Sequence, residues 1–363
     1  MIKVGRRRVV GVIRGVRTYH FDSFRRGDCV VLRSVLKPDK ASLSKPLENG
    51  SQWQTPYGVF GHDEIIGKKT RSTIVNKHGD KFLVTHPTLE EYILHRIRLA
   101  QPIYPHDAAA IVNLADIHVD NGCVDPDETL HYLEAGTGHG SLTLAICRAI
   151  HSANVRNADG TVEKQGAVLH SIDRNQNHSK VGRRNVQNFR RGMYSNDVQF
   201  HVADSPAEWL KTQQDMQLSG VFLDLPSPHV GLKAIAKEMR LDAPLTVFCP
   251  SVSQIQDLSE EVNQDADIPL TMITVAELLP GMGGGMRPWD VRSSVVKETG
   301  QIARVCRPKV GSKMVGGGFV ALFKRIPDGI RKPRITNQPS QSPSHSPSEE
   351  TSWWSRLKSF WKS

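Results

Sequence analysis

Ten residues, Tyr132 to Ser141, constrain what this 363-residue chain can fold into more than any other stretch. Tyr132-Leu-Glu-Ala135 reads as the end of a buried strand, and Gly136, Gly138 and Gly140 then alternate with Thr137 and His139. Beyond them Leu142, Ala145, Ile146 and Ala149 recur at helical spacing, which predicts a helix over Ser141–Ile150. A strand that turns into a helix through alternating glycines needs backbone conformations and close approaches that a Cβ forbids. Such a turn belongs to the first crossover of an open α/β sheet, where a ligand sits against the strand ends.

The texture around the turn agrees. Ala167–Ile172, Val198–Val202, Val221–Leu223, Thr246–Cys249, Met272–Val275 and Phe319–Phe323 are further strand candidates, separated by helical stretches such as Leu232–Arg240. Alternation of this kind predicts a mainly parallel, doubly wound, Rossmann-like sheet over 100–328. Residues 22–99 read differently. Short β-rich runs (28–33, 58–60, 64–66, 73–75 and 81–84) are punctuated by Gly, Pro, Asn and Asp, and Asn76-Lys-His-Gly79 reads as a hairpin loop. A small β-domain is expected there, with 37–57 as a loose polar insertion. From 329 the chain is a Ser/Pro-rich linker that ends in Trp353, Trp354, Leu357, Phe360 and Trp361, on one face if helical. That end is expected to contact a membrane surface or a partner.

The formal charge of +10 is not spread evenly. Residues 1–21 hold six bases and no acid, residues 331–363 hold six bases and two acids, and the body between them is balanced. A basic average therefore makes no case for nucleic acid, and any such surface must be local. Lys68, Lys69 and Arg71, with Arg183, Arg184, Arg190 and Arg191, are the clusters available for phosphates. The Arg-rich, acid-free N-terminus has the character of a mitochondrial transit peptide, so the matrix is the expected location, with the nucleus as the alternative. No apolar run approaches the roughly 20 residues of a membrane span. Five cysteines, none in a C-x-x-C pair, imply neither a disulfide framework nor a zinc site.

The strand ends carry acids. Asp173 follows the second strand, where a carboxylate accepts both hydroxyls of a ribose; Asp204 follows the third; and Asp224 follows the fourth, stiffened by Pro226 and Pro228. Ser141 stands where a dinucleotide fingerprint has its third glycine, which points away from a pyrophosphate and toward a phosphate-free nucleoside such as S-adenosylmethionine.

Gln101-Pro-Ile-Tyr-Pro-His-Asp107, Glu134-Ala-Gly-Thr-Gly-His-Gly-Ser141 and Val221-Phe-Leu-Asp-Leu-Pro-Ser-Pro228, in that order behind a small β-domain, resemble the catalytic subunit of tRNA adenine-N1-methyltransferase, the family that modifies position 58. The resemblance spans roughly 60–325. It implies a class I methyltransferase fold, S-adenosylmethionine as donor, tRNA as substrate, and a tetramer of identical chains or one formed with a related noncatalytic subunit. On the family's pattern Gln101, Pro102, Ile103, Tyr104, Glu134, Gly136, Thr137, Gly138, His139, Gly140, Ser141, Asp173, Asp204 and Asp224 line the donor site, and Asp224 also faces the target adenine as the catalytic group. The Gly-rich excursion 280–292 reads as a mobile loop whose Arg287, Trp289 and Arg292 contact RNA. Two departures stand out: His139 replaces the family's serine, and Val315-Gly-Gly-Gly-Phe319 replaces its His-Thr-Gly. The second keeps open an alternative, a degenerate RNA-binding or assembly subunit.

Overall fold

The computed structural model describes residues 21–35, 41–96, 98–119, 128–157, 162–281, 286–309 and 316–330. The N-terminal arm, the Trp-rich end and Cys123 lie outside them.

The first unit is built on an antiparallel sheet of β1 (Val31–Ser34), β2 (Ala41–Leu43), β5 (Ser72–Val75) and β6 (Lys81–Thr85), ordered β2-β1-β6-β5, beside the hairpin β3 (Gln52–Thr55) and β4 (Gly58–Gly61). The expected loop at 76–79 joins β5 to β6, with Asn76 Oδ1 accepting the N–H groups of His78 and Asp80 at 2.9 Å. Two expectations fail here. The stretch 37–57 is not a loose insertion in its described part: it supplies β2 and β3, and Leu47 and Trp53 are buried in a core with Phe24, Phe60 and Phe82. Its polar residues hid two apolar anchors. Glu64–Ile66 is not a strand either. His62–Glu64 forms a 3-10 turn that drives Ile65 into the same core.

α1 (Leu89–His95) and α2 (Pro105–Leu114) lead into a seven-stranded sheet of β7 (Leu130–Ala135), β10 (Ala167–Asp173), β11 (Val198–Val202), β12 (Leu218–Leu223), β13 (Pro244–Cys249), β14 (Leu270–Leu278) and β17 (Gly318–Arg325). Its order is β11-β10-β7-β12-β13-β17-β14, and β17 alone runs antiparallel to the rest. α3 (Ser141–Ile150) spans the expected residues. A short hairpin, β8 (Asn154–Arg156) with β9 (Val162–Gln165), precedes β10. α4 (Gln176–Asn188), α5 (Pro206–Leu210), α6 (Leu232–Lys237) and α7 (Val252–Gln264) complete the two helical layers. α6 stops short of Arg240 because Met239 peels away to bridge Leu218, with the Arg240 N–H donating to the Leu218 carbonyl. The chain turns to opposite sides of β7 through β10 and β12, so the switch point of the sheet falls beside the glycine turn. The excursion 280–292 is only partly a loop. From Trp289 it becomes β15 (Trp289–Val295), paired with β16 (Ile302–Pro308), while 282–285 lie outside the described residues.

A buried ion pair joins the β-domain to the sheet domain, beside the packing of Cys29 and Leu43 into the sheet domain's core. Arg191 Nε and Nη2 donate to the two oxygens of Asp28 at 2.7 Å each, and Nη2 also reaches the Ser23 carbonyl. Asp28 is buried, and Arg190 and Arg191 adopt left-handed backbone, which costs energy outside glycine. Arg191 is therefore committed to Asp28 and is not available to a phosphate; Arg190 lies over Phe21 and Phe189. Losing one partner strands a buried charge. Arg191→Ala is expected to lower unfolding free energy by about 3 kcal/mol in urea titrations, with Asp28→Ala showing a similar loss.

Candidate functional site

A cavity of about 460 Å³ lies over the carboxyl ends of β7, β10, β11 and β12. Gln101, Gly136, Gly138, Asp173, Asp204 and Asp224 line it, six of the residues expected from sequence. A second cavity of about 250 Å³ adjoins it, with Gln101 and Asp224 in both walls. Pro102, Ile103 and Tyr104 face this smaller one.

The remaining residues of the turn are not on either wall. Glu134 is fully buried in the sheet, where its Oε2 accepts hydrogen bonds from Thr143 and Ser171 at 2.6 Å. Thr137 Oγ1 lies 2.7 Å from Ser171 Oγ, the His139 carbonyl accepts from Asn185 Nδ2 at 2.9 Å, and Ser141 Oγ donates to the Ile103 carbonyl. A Cβ on Gly140 would meet the Gly182 backbone at 3.0 Å. These five residues shape the turn from behind, and Gly136 and Gly138 line the larger cavity.

Gly136 and Gly138 make the floor. At φ +100° a side chain on Gly136 would be strained, and its Cβ would lie 2.3 Å from the Asp224 carbonyl oxygen. The Asp224 N–H donates to the Ala135 carbonyl at 2.9 Å, so the two strand ends are locked edge to edge. Gly138 N–H donates to Asp173 Oδ2 at 3.0 Å and Asn175 N–H to Oδ1 at 2.8 Å, which orients that carboxylate and leaves a lone pair on each oxygen for a diol. Sequence reasoning missed His178, whose Nδ1 stands 3.8 Å from Asp173 Oδ2, and Asp107, Phe248, Pro250, Gly316 and Gly317 around the smaller cavity. Asp107 closes the motif 101–107 and His178 lies in the first turn of α4, five positions past Asp173; Phe248, Pro250, Gly316 and Gly317 come from parts of the chain remote in sequence.

Carboxyl groups crowd the floor. Burial pushes Asp224 up to about 6, with Asp173 adding repulsion, and burial pushes Glu134 up to about 8 against its two hydrogen bonds. Glu134 Oε1 is buried with no hydrogen-bond partner among the described residues. A phosphate-free nucleoside with a net positive charge suits this set: a side-chain-free floor, an oriented diol acceptor, and buried carboxyls short of a counter-charge. S-adenosylmethionine has that chemistry. Among the described residues no group of three or more His, Cys, Asp or Glu is arranged to hold a metal ion.

Arg287, Trp289 and Arg292 lie outside both walls. All three are exposed, Trp289 by 55%, and Arg292 pairs with Asp290 at 3.2 Å.

The family model described as "tRNA methyltransferase complex GCD14 subunit" matches residues 82–300. The tRNA (adenine(58)-N(1))-methyltransferase TrmI of Thermus thermophilus is 31% identical over 256 residues, covering 70% of this chain and 86% of that protein. The tRNA (adenine(58)-N(1))-methyltransferase catalytic subunit TRM61 of Kluyveromyces lactis is 24% identical, covering 67% of this chain and 58% of its own length. Of solved structures, a SAM-dependent O-methyltransferase of Thermotoga maritima has TM-score 0.59 at 18% identity, covering 84% of this chain and 95% of its own. The tRNA (m1A58) methyltransferase TrmI of Aquifex aeolicus has TM-score 0.54 at 21% identity, covering 84% and 99%. These two likenesses establish the fold.

Two outcomes follow from the floor and its buried acid. Gly136→Ala is expected to weaken S-adenosylmethionine binding by at least tenfold in calorimetry. Between its ordinary value of 4.5 and about 8, Glu134 holds a proton in the folded chain that the unfolded chain has lost. Stability of the donor-free protein should then fall as pH rises through that window, by up to about 1.4 kcal/mol per unit. Thermal melts from pH 5 to 8 should show this slope flattened in Glu134→Gln.

Proposed function

The chain belongs to the family described as the tRNA methyltransferase complex GCD14 subunit, and from that membership we propose that it transfers the methyl group of S-adenosylmethionine to N1 of adenine 58 in tRNA. The observation that carries the reading is the pair of adjoining cavities with Asp224 in both walls. Gly136 and Gly138 take the donor's backbone-facing side, Asp173 its ribose, and Asp204 stands at the adenine end. The donor supplies a methyl carbon already activated on sulfonium. Adenine N1 has its own lone pair and attacks in line, the N–C bond forming as the S–C bond breaks and S-adenosylhomocysteine leaves as a neutral thioether, so this chain's work is alignment and charge placement. N1 bears no proton to lose, and the methylated ring becomes a cation. Asp224 holds the exocyclic amine and balances that charge, and the adenine must leave its stack to reach it.

The intact donor floor favours an enzyme over a degenerate subunit, despite Gly316 and Gly317 in place of the family's His-Thr. The exposed Arg287, Trp289 and Arg292 are proposed RNA contacts. A tetramer is the proposed assembly. In its support, the β15–β16 hairpin has Val291, Val295 and Ile302 exposed by 73, 62 and 75%, and their register groups them on one face. Light scattering should give a four-chain mass if identical copies suffice, and Val291→Asp with Ile302→Asp should reduce it. The arm at 1–21 supports import into the mitochondrial matrix, ahead of the nucleus, and the tethered Trp-rich end is the proposed contact with a membrane surface or partner; a reporter fused to residues 1–30 decides the first.

Nucleoside mass spectrometry of tRNA incubated with chain and donor should reveal 1-methyladenosine, lost below detection in Asp224→Ala while donor affinity stays within a few-fold. Since the reaction needs ionised Asp224, turnover should decline as pH falls through about 6. The bound sulfonium favours the carboxylate, so the measured midpoint should lie at or below that value.

A further inference from the structure

The smaller cavity is walled from four separated parts of the chain: residues 101–107 at the start of α2, Asp224 beyond β12, Phe248 and Pro250 at the end of β13, and Gly316 and Gly317 of the strap Gly316-Gly-Gly318 that enters β17. The strap has no side chains. Its φ values are +76°, +91° and +134°. A Cβ on Gly317 would lie 3.0 Å from Pro280 Cγ and 3.2 Å from the Leu278 carbonyl oxygen, and one on Gly318 would lie 2.9 Å from both the Cys249 carbonyl oxygen and the Phe248 ring. The strap is thus pressed between two strand ends by glycine-only geometry. A segment without side chains has to be held by a group from elsewhere.

That group is Asp107. It sits in the first turn of α2, is 1% exposed, and its Oδ2 accepts the Gly317 N–H at 3.3 Å, across 210 positions of sequence. Asp107, Gly316 and Gly317 all line the smaller cavity with Asp224, and Asp107 is absent from the walls of the larger one. The smaller cavity has little more than half the volume of the larger, which suits a single base, and Tyr104 and Phe248 give it aromatic walls.

We infer that Asp107 is a positioning residue for the acceptor: its carboxylate pins the glycine strap as the wall that aligns the target base against Asp224. This rests on the methyl transfer to an RNA base set out above. The tether acts on one side of the active centre only. With it gone the wall relaxes, the base loses alignment with the methyl carbon, and the donor cavity is left as it was. A shift of about 1 Å in a reacting group costs on the order of 100-fold in rate.

The test compares Asp107→Ala with Asp107→Asn, which keeps an acceptor oxygen. Asp107→Ala should lower kcat/KM for tRNA by about 10- to 100-fold, mostly in kcat, with the calorimetric donor Kd within about twofold of wild type. Asp107→Asn should recover most of the rate. Hydrogen exchange at 316–319 should quicken in the Ala variant and stay slow in the Asn variant, a readout that requires no turnover. If Asp107→Ala does not fold, Asp107→Ser takes its place. Unchanged exchange in the Ala variant overturns the tether. Quickened exchange with wild-type kinetics overturns the positioning role, as does equal damage by Asn and Ala. Absence of methylated adenine with the wild-type chain instead refutes the proposed reaction, and the exchange data still judge the tether.

Discussion

Everything at the active edge depends on one close approach, that of Gly136 to the backbone of Asp224. No other residue type fits there, because its first side-chain atom would overlap the Asp224 carbonyl. The contact joins the end of the first sheet strand to the end of the fourth, at the place where the chain turns to opposite sides of the sheet. One glycine thereby sets both the floor of the larger cavity and the position of the carboxylate shared with the smaller one. Binding and chemistry are consequences of the same backbone crossing.

The electrostatics follow from that crowding. Burial raises Glu134 and Asp224, and neighbouring carboxyls raise them further, so a cation bound beside Asp224 favours its ionised form. The fold holds this arrangement with hydrogen bonds that leave the cavity open: Thr143 and Ser171 on Glu134, and two backbone N–H groups on Asp173. The polar cost of the buried acids is met from behind the turn, and its front is kept free of side chains.

Charge read along the chain is a poor guide to charge in space. Arg190 and Arg191 look like half of a phosphate-binding cluster, yet Arg191 is spent on Asp28, 163 positions away, and welds the β-domain to the sheet domain. The stretch 37–57 misleads in the opposite direction. Its polar average hides Leu47 and Trp53, which close a core that the neighbouring strands leave incomplete.

Local chemistry was legible in the sequence: the strand, glycine turn and helix at 132–150, the acids at 173, 204 and 224, and the alternation that makes a doubly wound sheet. Each is written in neighbouring residues, because periodicity and glycine backbone demands act over a few positions. Tertiary structure alone decided which motif residues line a cavity and which support the turn from behind. Glu134, Thr137, His139 and Ser141 face inward because their partners, Thr143, Ser171, Asn185 and Ile103, lie on other elements. The second cavity, and the hydrogen bond from Gly317 to Asp107 in its wall, exist only once strands remote in sequence are side by side, and no spacing along the chain encodes that adjacency.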